Sequence, residues 1–205
     1  MYIVENMKRA AERMTGLGKP PRRLACAAVR SRKPRTRTFK ADGTIPNNPA
    51  LPFVLYRGAL GVRGAADPAV LLETLFEANG WGDSWRNGIY DYVHYHSRIH
   101  EVLGIARGRA LVRFGGDRAK PIEVKAGDVA ILPAGTGHHC LKASKDFLVV
   151  GAYPPSGTYD ECRGSRDEYE RARRTIPKVR LPKKDPVYGR RGPLIELWRR
   201  RPAAA

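Results

Sequence analysis

The sequence predicts a mainly β fold, an antiparallel sandwich or barrel with a few short helices in its flanks. Three observations lead there. Short apolar segments recur between Gly88 and Pro154, separated by glycine-containing turns, the rhythm of a small all-β domain. The 205 residues include 21 Gly and 16 Pro, a share that favours turns over long helices and disfavours a helical bundle. All five histidines fall between His94 and His139, inside that β-patterned region and outside both flanks. A chain of this length, 42% apolar and 28% charged, can bury one core unaided.

Taken in order, Ile3, Met7, Ala10, Ala11, Met14 and Leu17 share one helical face, so residues 3–17 read as a short amphipathic helix ended near Gly16 and Gly18. It opens a basic extension over residues 1–37. Turn-rich residues 42–49 precede an apolar run from Leu51 to Leu60 that Pro52 interrupts, which reads as an edge strand. Asp67 as N-cap, Pro68 at the first helical position and the apolar face Val70, Leu71, Leu75, Ala78 predict a helix over 68–79. Strands follow at Ile89–His96, Glu101–Ile105, Arg109–Phe114, Pro121–Val124, Val129–Leu132, His138–Leu141 and Phe147–Tyr153. Ser165 and Glu168 have the spacing of a capping box that opens a helix to about Arg174. The domain plan is thus a β-barrel over 38–162 between the basic extension 1–37 and a second one, 163–205, packing on the barrel.

The formal charge of +18 lies in those flanks. Residues 1–40 hold 12 Lys/Arg and 2 acids, residues 163–205 hold 14 and 5, and the middle, with 12 and 13, is near neutral. The basic runs contain almost no aromatics on which bases could stack, so nucleic-acid binding is disfavoured as the main function. No apolar stretch has the length of a membrane span, and no secretory leader is recognisable. Cys26, Cys140 and Cys162 are odd in number and widely spaced, against a disulfide framework or a cysteine-based zinc site, and a cytoplasmic location is expected.

His94 and His96, two apart on an expected strand, point to the same side and form a chelating pair. Glu101 follows across a turn, and His138 opens a later strand. Three imidazoles and one carboxylate suit Fe, Mn, Ni, Co or Zn as a divalent ion with positions left open. The spacing Gly88-x5-His94-x-His96-x4-Glu101-x6-Gly108 matches in full the first motif of the cupin superfamily. Gly127-x5-Pro133-x-Gly135-x2-His138 matches the second, except that Lys142 stands where that motif ends in Asn. Outside the motifs, Ile45–Pro49, Leu55–Leu60, Gly151–Pro154 and Asp185–Gly189 resemble the YjlB-like branch of mono-cupins.

The resemblance implies a cupin double-stranded β-helix, the jelly-roll barrel, with motifs at 88–108 and 127–142 and one divalent transition metal held by His94, His96, Glu101 and His138. It implies a small-molecule ligand, with homodimerisation common among cupins, and it fixes a site without fixing a substrate. The expected function is a metal-dependent enzyme of dioxygenase or isomerase type; a non-catalytic metal- or ligand-binding cupin is the alternative. By strand alternation Tyr90, Tyr92, Cys140 and Lys142 are pocket candidates, and an inward Lys142 would call for an anionic substrate. His100 and His139 are expected to face away from the metal, and Trp81, Trp85 and Arg86 to close the barrel end.

Overall fold

Whether a strand alternates or runs apolar without interruption depends on how many of its faces are covered, and both patterns occur here. The structure, a computed structural model, describes residues 21–199; the helix expected over 3–17 lies outside them. Among the described residues, nine strands form two antiparallel sheets. β1 (Arg35–Arg37), β2 (Phe53–Tyr56), β7 (Val129–Leu132), β4 (Glu101–Arg107), β9 (Leu148–Tyr153) and β3 (Gly82–Asn87) make the larger one in that spatial order. β6 (Ile122–Lys125), β5 (Arg109–Phe114) and β8 (His138–Ala143) make the smaller. Every residue of β2, β7 and β9 is buried, whereas β5 and β6 alternate between buried and exposed. The larger sheet is covered on both faces at its central strands, and the smaller has one face open.

Between the sheets lies a core that includes Phe53, Leu55, Leu103, Ile105, Val112, Phe114, Val124 and Val149. On the outer face of the larger sheet, Val54, Val102, Ile131 and Val150 pack beneath helix α2 (Pro68–Ala78) and the C-terminal helix α4 (Pro193–Arg199) through Leu72, Phe76, Leu194 and Trp198. Gly104 permits that seat, since a Cβ there would lie 2.7 Å from Leu72 and 2.8 Å from Phe76. Helix α2 starts as expected: Pro68 is in its first turn, and the Asp67 carboxylate accepts the Ala69 N–H at 2.9 Å. Helix α3 (Arg166–Thr175) opens on the Ser165/Glu168 capping box. The result is the jelly-roll barrel of the cupin fold, mostly sheet with a few short helices.

Two expectations about strands are corrected. Residues 89–96 are not a strand; the strand is β3, seven residues earlier, paired with β9. After Gly88 the chain leaves that sheet edge, and His94 and Tyr95 make single bridges to different partners, His138 and Cys162, which no continuous ladder allows. The 51–60 run is not an edge either, because β1 pairs along β2 on its far side. Pro52 precedes β2, where its missing N–H costs no ladder bond.

Parts of both flanks are built into this structure. Ala25 of helix α1 (Arg22–Ala27) is fully buried, and the Arg30 N–H donates to the Ala59 carbonyl at 2.8 Å. At the other end, the buried Asp185 carboxylate accepts the Tyr56 hydroxyl at 2.5 Å and the N–H groups of Val187 and Leu194 at 2.8 and 3.2 Å. Burial raises its pKa, and these donors oppose that rise. Trp198, 1% exposed, donates its indole N–H to the Pro52 carbonyl at 2.9 Å. Trp198→Ala should lower unfolding stability by about 3–5 kcal/mol, the cost of truncating a buried large aromatic. Chemical denaturation checks this, and a loss below about 1 kcal/mol would show that the C-terminal helix does not seal the core.

Candidate metal centre

A histidine can offer a lone pair to a metal only if its other ring nitrogen keeps the proton, so the backbone around each imidazole decides what the site can bind. His94 Nδ1 faces the Tyr92 carbonyl at 3.3 Å and His138 Nδ1 the Thr136 carbonyl at 3.2 Å. His96 Nδ1 bonds the Asp160 carbonyl. Carbonyls accept only, so all three Nδ1 atoms donate, and each ring turns its Nε2 elsewhere. Nitrogens of the three rings come within 4.8 Å of one another, a group that could hold a metal ion. All three residues are 5% exposed or less.

The rings converge because the two motifs are tied by the backbone. His94 N–H donates to the His138 carbonyl at 3.3 Å, and His138 N–H returns the bond at 2.9 Å, which sets the ring centroids 4.1 Å apart. His96 is placed by the loop after β9. The Asp160 carboxylate accepts from Ser97 N–H at 2.9 Å, Ser97 Oγ at 2.6 Å and Arg98 N–H at 3.1 Å, which holds the Asp160 carbonyl against His96.

Glu101, the first residue of β4, is 2% exposed and brings Oε2 to 3.5 Å from Nε2 of both His96 and His138. That oxygen has no hydrogen-bond partner among the described residues. Burial would raise the Glu101 pKa, but the His96 ring and then the His138 and His94 rings hold it down to about 2. Burial works against charge on His96 too, and there the facing Glu101 and the Asp160 carbonyl prevail and lift it to about 8. His138 lies well below the ordinary range through burial and then the neighbouring His94 ring, and burial followed by His96 lowers His94. The site is therefore a buried carboxylate among imidazoles with little proton affinity left for two of them.

These side chains line one cavity of about 360 Å³, together with Trp85, Ile89, Tyr90, Leu103, Tyr153 and Tyr159. Tyr90 is on its wall, 41% exposed, and stacks with centroids 4.9 Å apart on Tyr92, which is off the wall and tilts against His94 at 5.6 Å. Cys140 and Lys142 are not on the wall. A β-bulge explains this: Val112 faces Cys140 while Leu111, the next residue back, faces Lys142, two residues on. Lys142 thereby takes the outward parity of Leu111 and is exposed, and Cys140 packs half-buried on the inter-sheet core. The inward Lys142 and the anionic substrate argued from it are withdrawn on this geometry.

Trp85 and Arg86, expected to close the barrel end, line the cavity, whereas Trp81 lies in the outer core and donates to the Lys184 carbonyl. His100 faces away, its ring 4.7 Å from Trp198, and its Nδ1 accepts the Ala134 N–H at 2.9 Å, steadying the turn before His138. His139 is buried away from the cavity, with Nε2 3.9 Å from the Asp117 carboxylate. Tyr153, Tyr159 and Asp160 escaped the sequence reading. Strand alternation could have found Tyr153, but nothing in the pattern of an irregular loop marks the other two.

No protein-family model matches the chain. Fold and site together define a cupin. The uncharacterized protein YjlB of Bacillus subtilis (strain 168) is 42% identical over 167 residues, covering 82% of this chain and 98% of that protein, and the chain belongs to its family. Among solved structures, acireductone dioxygenase from Bacillus anthracis, with a cadmium ion in its active centre, overlaps at a TM-score of 0.32 and 14% identity, covering 42% of this chain and 59% of that one. A mutant of Bacillus subtilis oxalate decarboxylase OxdC overlaps at 0.34 and 18%, covering 62% and 29%. Overlaps this slight carry no argument about chemistry.

Asp160→Ala keeps the carbonyl that holds His96 but removes the carboxylate that fixes its position. It should weaken metal affinity by about 10–100-fold, the usual effect of losing a residue that orients a ligand. Competition against a chromophoric chelator measures this, and unchanged affinity would show that His96 is oriented without the loop.

Proposed function

We propose that the chain is a metal-dependent mono-cupin that binds one divalent ion of Fe, Mn, Ni, Co or Zn through His94, His96, Glu101 and His138 and acts on a small molecule in the adjoining cavity. One observation carries the reading: three imidazoles with their Nδ1 protons given to carbonyls surround a buried carboxylate oxygen that has no hydrogen-bond partner among the described residues. An unpaired buried carboxylate oxygen is costly, and a cation at the point where the nitrogens converge would relieve it. Nitrogen and oxygen donors without sulfur match that group of metals. When bound, such an ion supplies Lewis-acid polarisation of a coordinated oxygen or, for redox-active iron or manganese, activation of dioxygen.

The protein's own part is to bind, orient and keep water out. Trp85 Nε1 donates to the Tyr153 hydroxyl at 2.9 Å, leaving the phenol proton directed elsewhere, and Glu101 is the neighbouring carboxylate. Burial and then that carboxylate raise the Tyr153 pKa, so the phenol stays protonated and serves as a donor. Ile89, Leu103 and Trp85 give the cavity apolar walls.

A binding module without turnover is the second reading, and one observation favours it. Apart from the four ligands, Arg86 and the tyrosines, the described cavity wall offers no titratable side chain to serve as acid or base. A cytoplasmic setting suits both readings, as the three cysteines are free, and no helix among the described residues is long and apolar enough to cross a membrane.

Metal analysis of the purified full chain should find about one divalent ion per molecule, and His94→Ala/His96→Ala should reduce it to background, because two lost ligands break the chelate. Stoichiometric metal in the double variant would contradict the assignment. Oxygen uptake by the iron-loaded protein across a panel of small acids and enols separates turnover from binding alone.

A further inference from the structure

The cavity beside the metal site is walled mostly by rings. Tyr153 stands perpendicular to His96 at 86° and nearly so to Tyr159 at 69°, with centroids 6.2 and 5.7 Å apart. Tyr159 in turn lies 5.0 Å from His96 at the mouth, half exposed, and Tyr90 faces the same space. Trp85, Ile89 and Leu103 complete the wall. Rings set edge to face leave a slot in which a flat ring can lie on one neighbour and meet the edge of another, the geometry that aromatic pairs prefer.

The polar inventory of the wall narrows the ligand further. Arg86 is the only lysine or arginine on the described wall, and it is already matched by two carboxylates: Glu73, at 3.0 and 2.8 Å, and Asp67, at 3.4 Å. With Lys142 outside, no second anionic group of a ligand would meet an unmatched cation, and burying such a group unpaired is costly. Several of the wall's neutral polar atoms are already engaged. Asn87 Oδ1 accepts the Gly88 N–H at 2.8 Å, the Tyr153 hydroxyl accepts the Trp85 indole, and the Tyr159 hydroxyl donates to Glu161 at 3.4 Å. A polyol would enter with several hydroxyls and find few free partners, which costs affinity for each one left unmatched. A cavity of about 360 Å³ exceeds the roughly 150 Å³ that encloses a benzene, so one substituted ring fits.

We propose that the cavity takes a small monocyclic aromatic compound bearing a single oxygen-donor head for the metal, with its ring held among Tyr90, Tyr153 and Tyr159. The ligand class rests on the metal reading above, and the head group is anchored by the ion while the ring is selected by the tyrosines. Tyr159, at the mouth and outside the ligand set, is the specificity residue most open to change.

The test uses the full-chain protein loaded with cobalt, with metal content measured on every sample and binding followed by the visible cobalt band and by calorimetry. Salicylate and malonate are the probes, since each can close a similar chelate through oxygen and only salicylate brings a ring. Salicylate should bind about tenfold more tightly, the size of effect an aromatic pair in a closed slot produces. Tyr159→Ala should remove most of that preference, leaving malonate affinity and cobalt content unchanged. Cobalt-loaded protein that binds malonate as tightly as salicylate, or a Tyr159→Ala variant that keeps the full preference, would overturn the ligand class while the metal reading stands. A chain that takes up no cobalt would contradict the metal reading itself and overturn the ligand class with it.

Discussion

Glu101 is a carboxylate on the first residue of a central strand, inside a barrel whose other inward residues are mostly Leu, Ile, Val and Phe. A charge in that position destabilises the fold unless it is matched, and burial alone would push its pKa up. What keeps it ionised is the ring of imidazoles, the His96 ring first, while burial holds down the proton affinity of His94 and His138. The remaining need is for a cation. Much of the local structure follows from meeting that constraint: the reciprocal His94–His138 bonds, the Asp160 loop over His96, and His100 gripping Ala134 all serve to place four buried polar groups together.

The architecture around the site isolates it. The central strands of the larger sheet are buried on both faces, so β4, which carries Glu101, is braced from inside by the inter-sheet core and from outside by α2 and the C-terminal helix. The Asp185 and Trp198 contacts fasten that outer layer to β2, two strands from β4. The open end of the site is framed by tyrosines, and Glu161 ties two of them, accepting from the Tyr92 hydroxyl at 3.2 Å and the Tyr159 hydroxyl at 3.4 Å.

The four candidate ligands were legible in the sequence because two spaced motifs carry His94, His96, Glu101 and His138, and reciprocal backbone bonds between His94 and His138 tie those motifs together. The barrel was legible through its turns. Neighbouring structure was harder to read where a local irregularity breaks the period. One bulge between Leu111 and Val112 reverses the side to which Lys142 points, and alternation carried forward from His138 has no means of detecting it. The Ile89–His96 segment has the composition of a strand, yet it bridges two separate partners and pairs with neither along its length. Tyr159 and Asp160 sit in a loop whose position is fixed by long-range hydrogen bonds to residues 97 and 98, information that local pattern does not contain.

The central claim is that three imidazoles and one carboxylate of this barrel form a single metal site. X-ray absorption at the metal edge of the zinc- or cobalt-loaded protein tests it most directly, because it reports the kind and distance of the donor atoms without reference to activity. The account predicts nitrogen and oxygen neighbours at about 2.0–2.2 Å, with the outer-shell scattering of about three imidazoles and no sulfur. A shell at about 2.3 Å from cysteine sulfur, or scattering from fewer than two imidazoles, would contradict it.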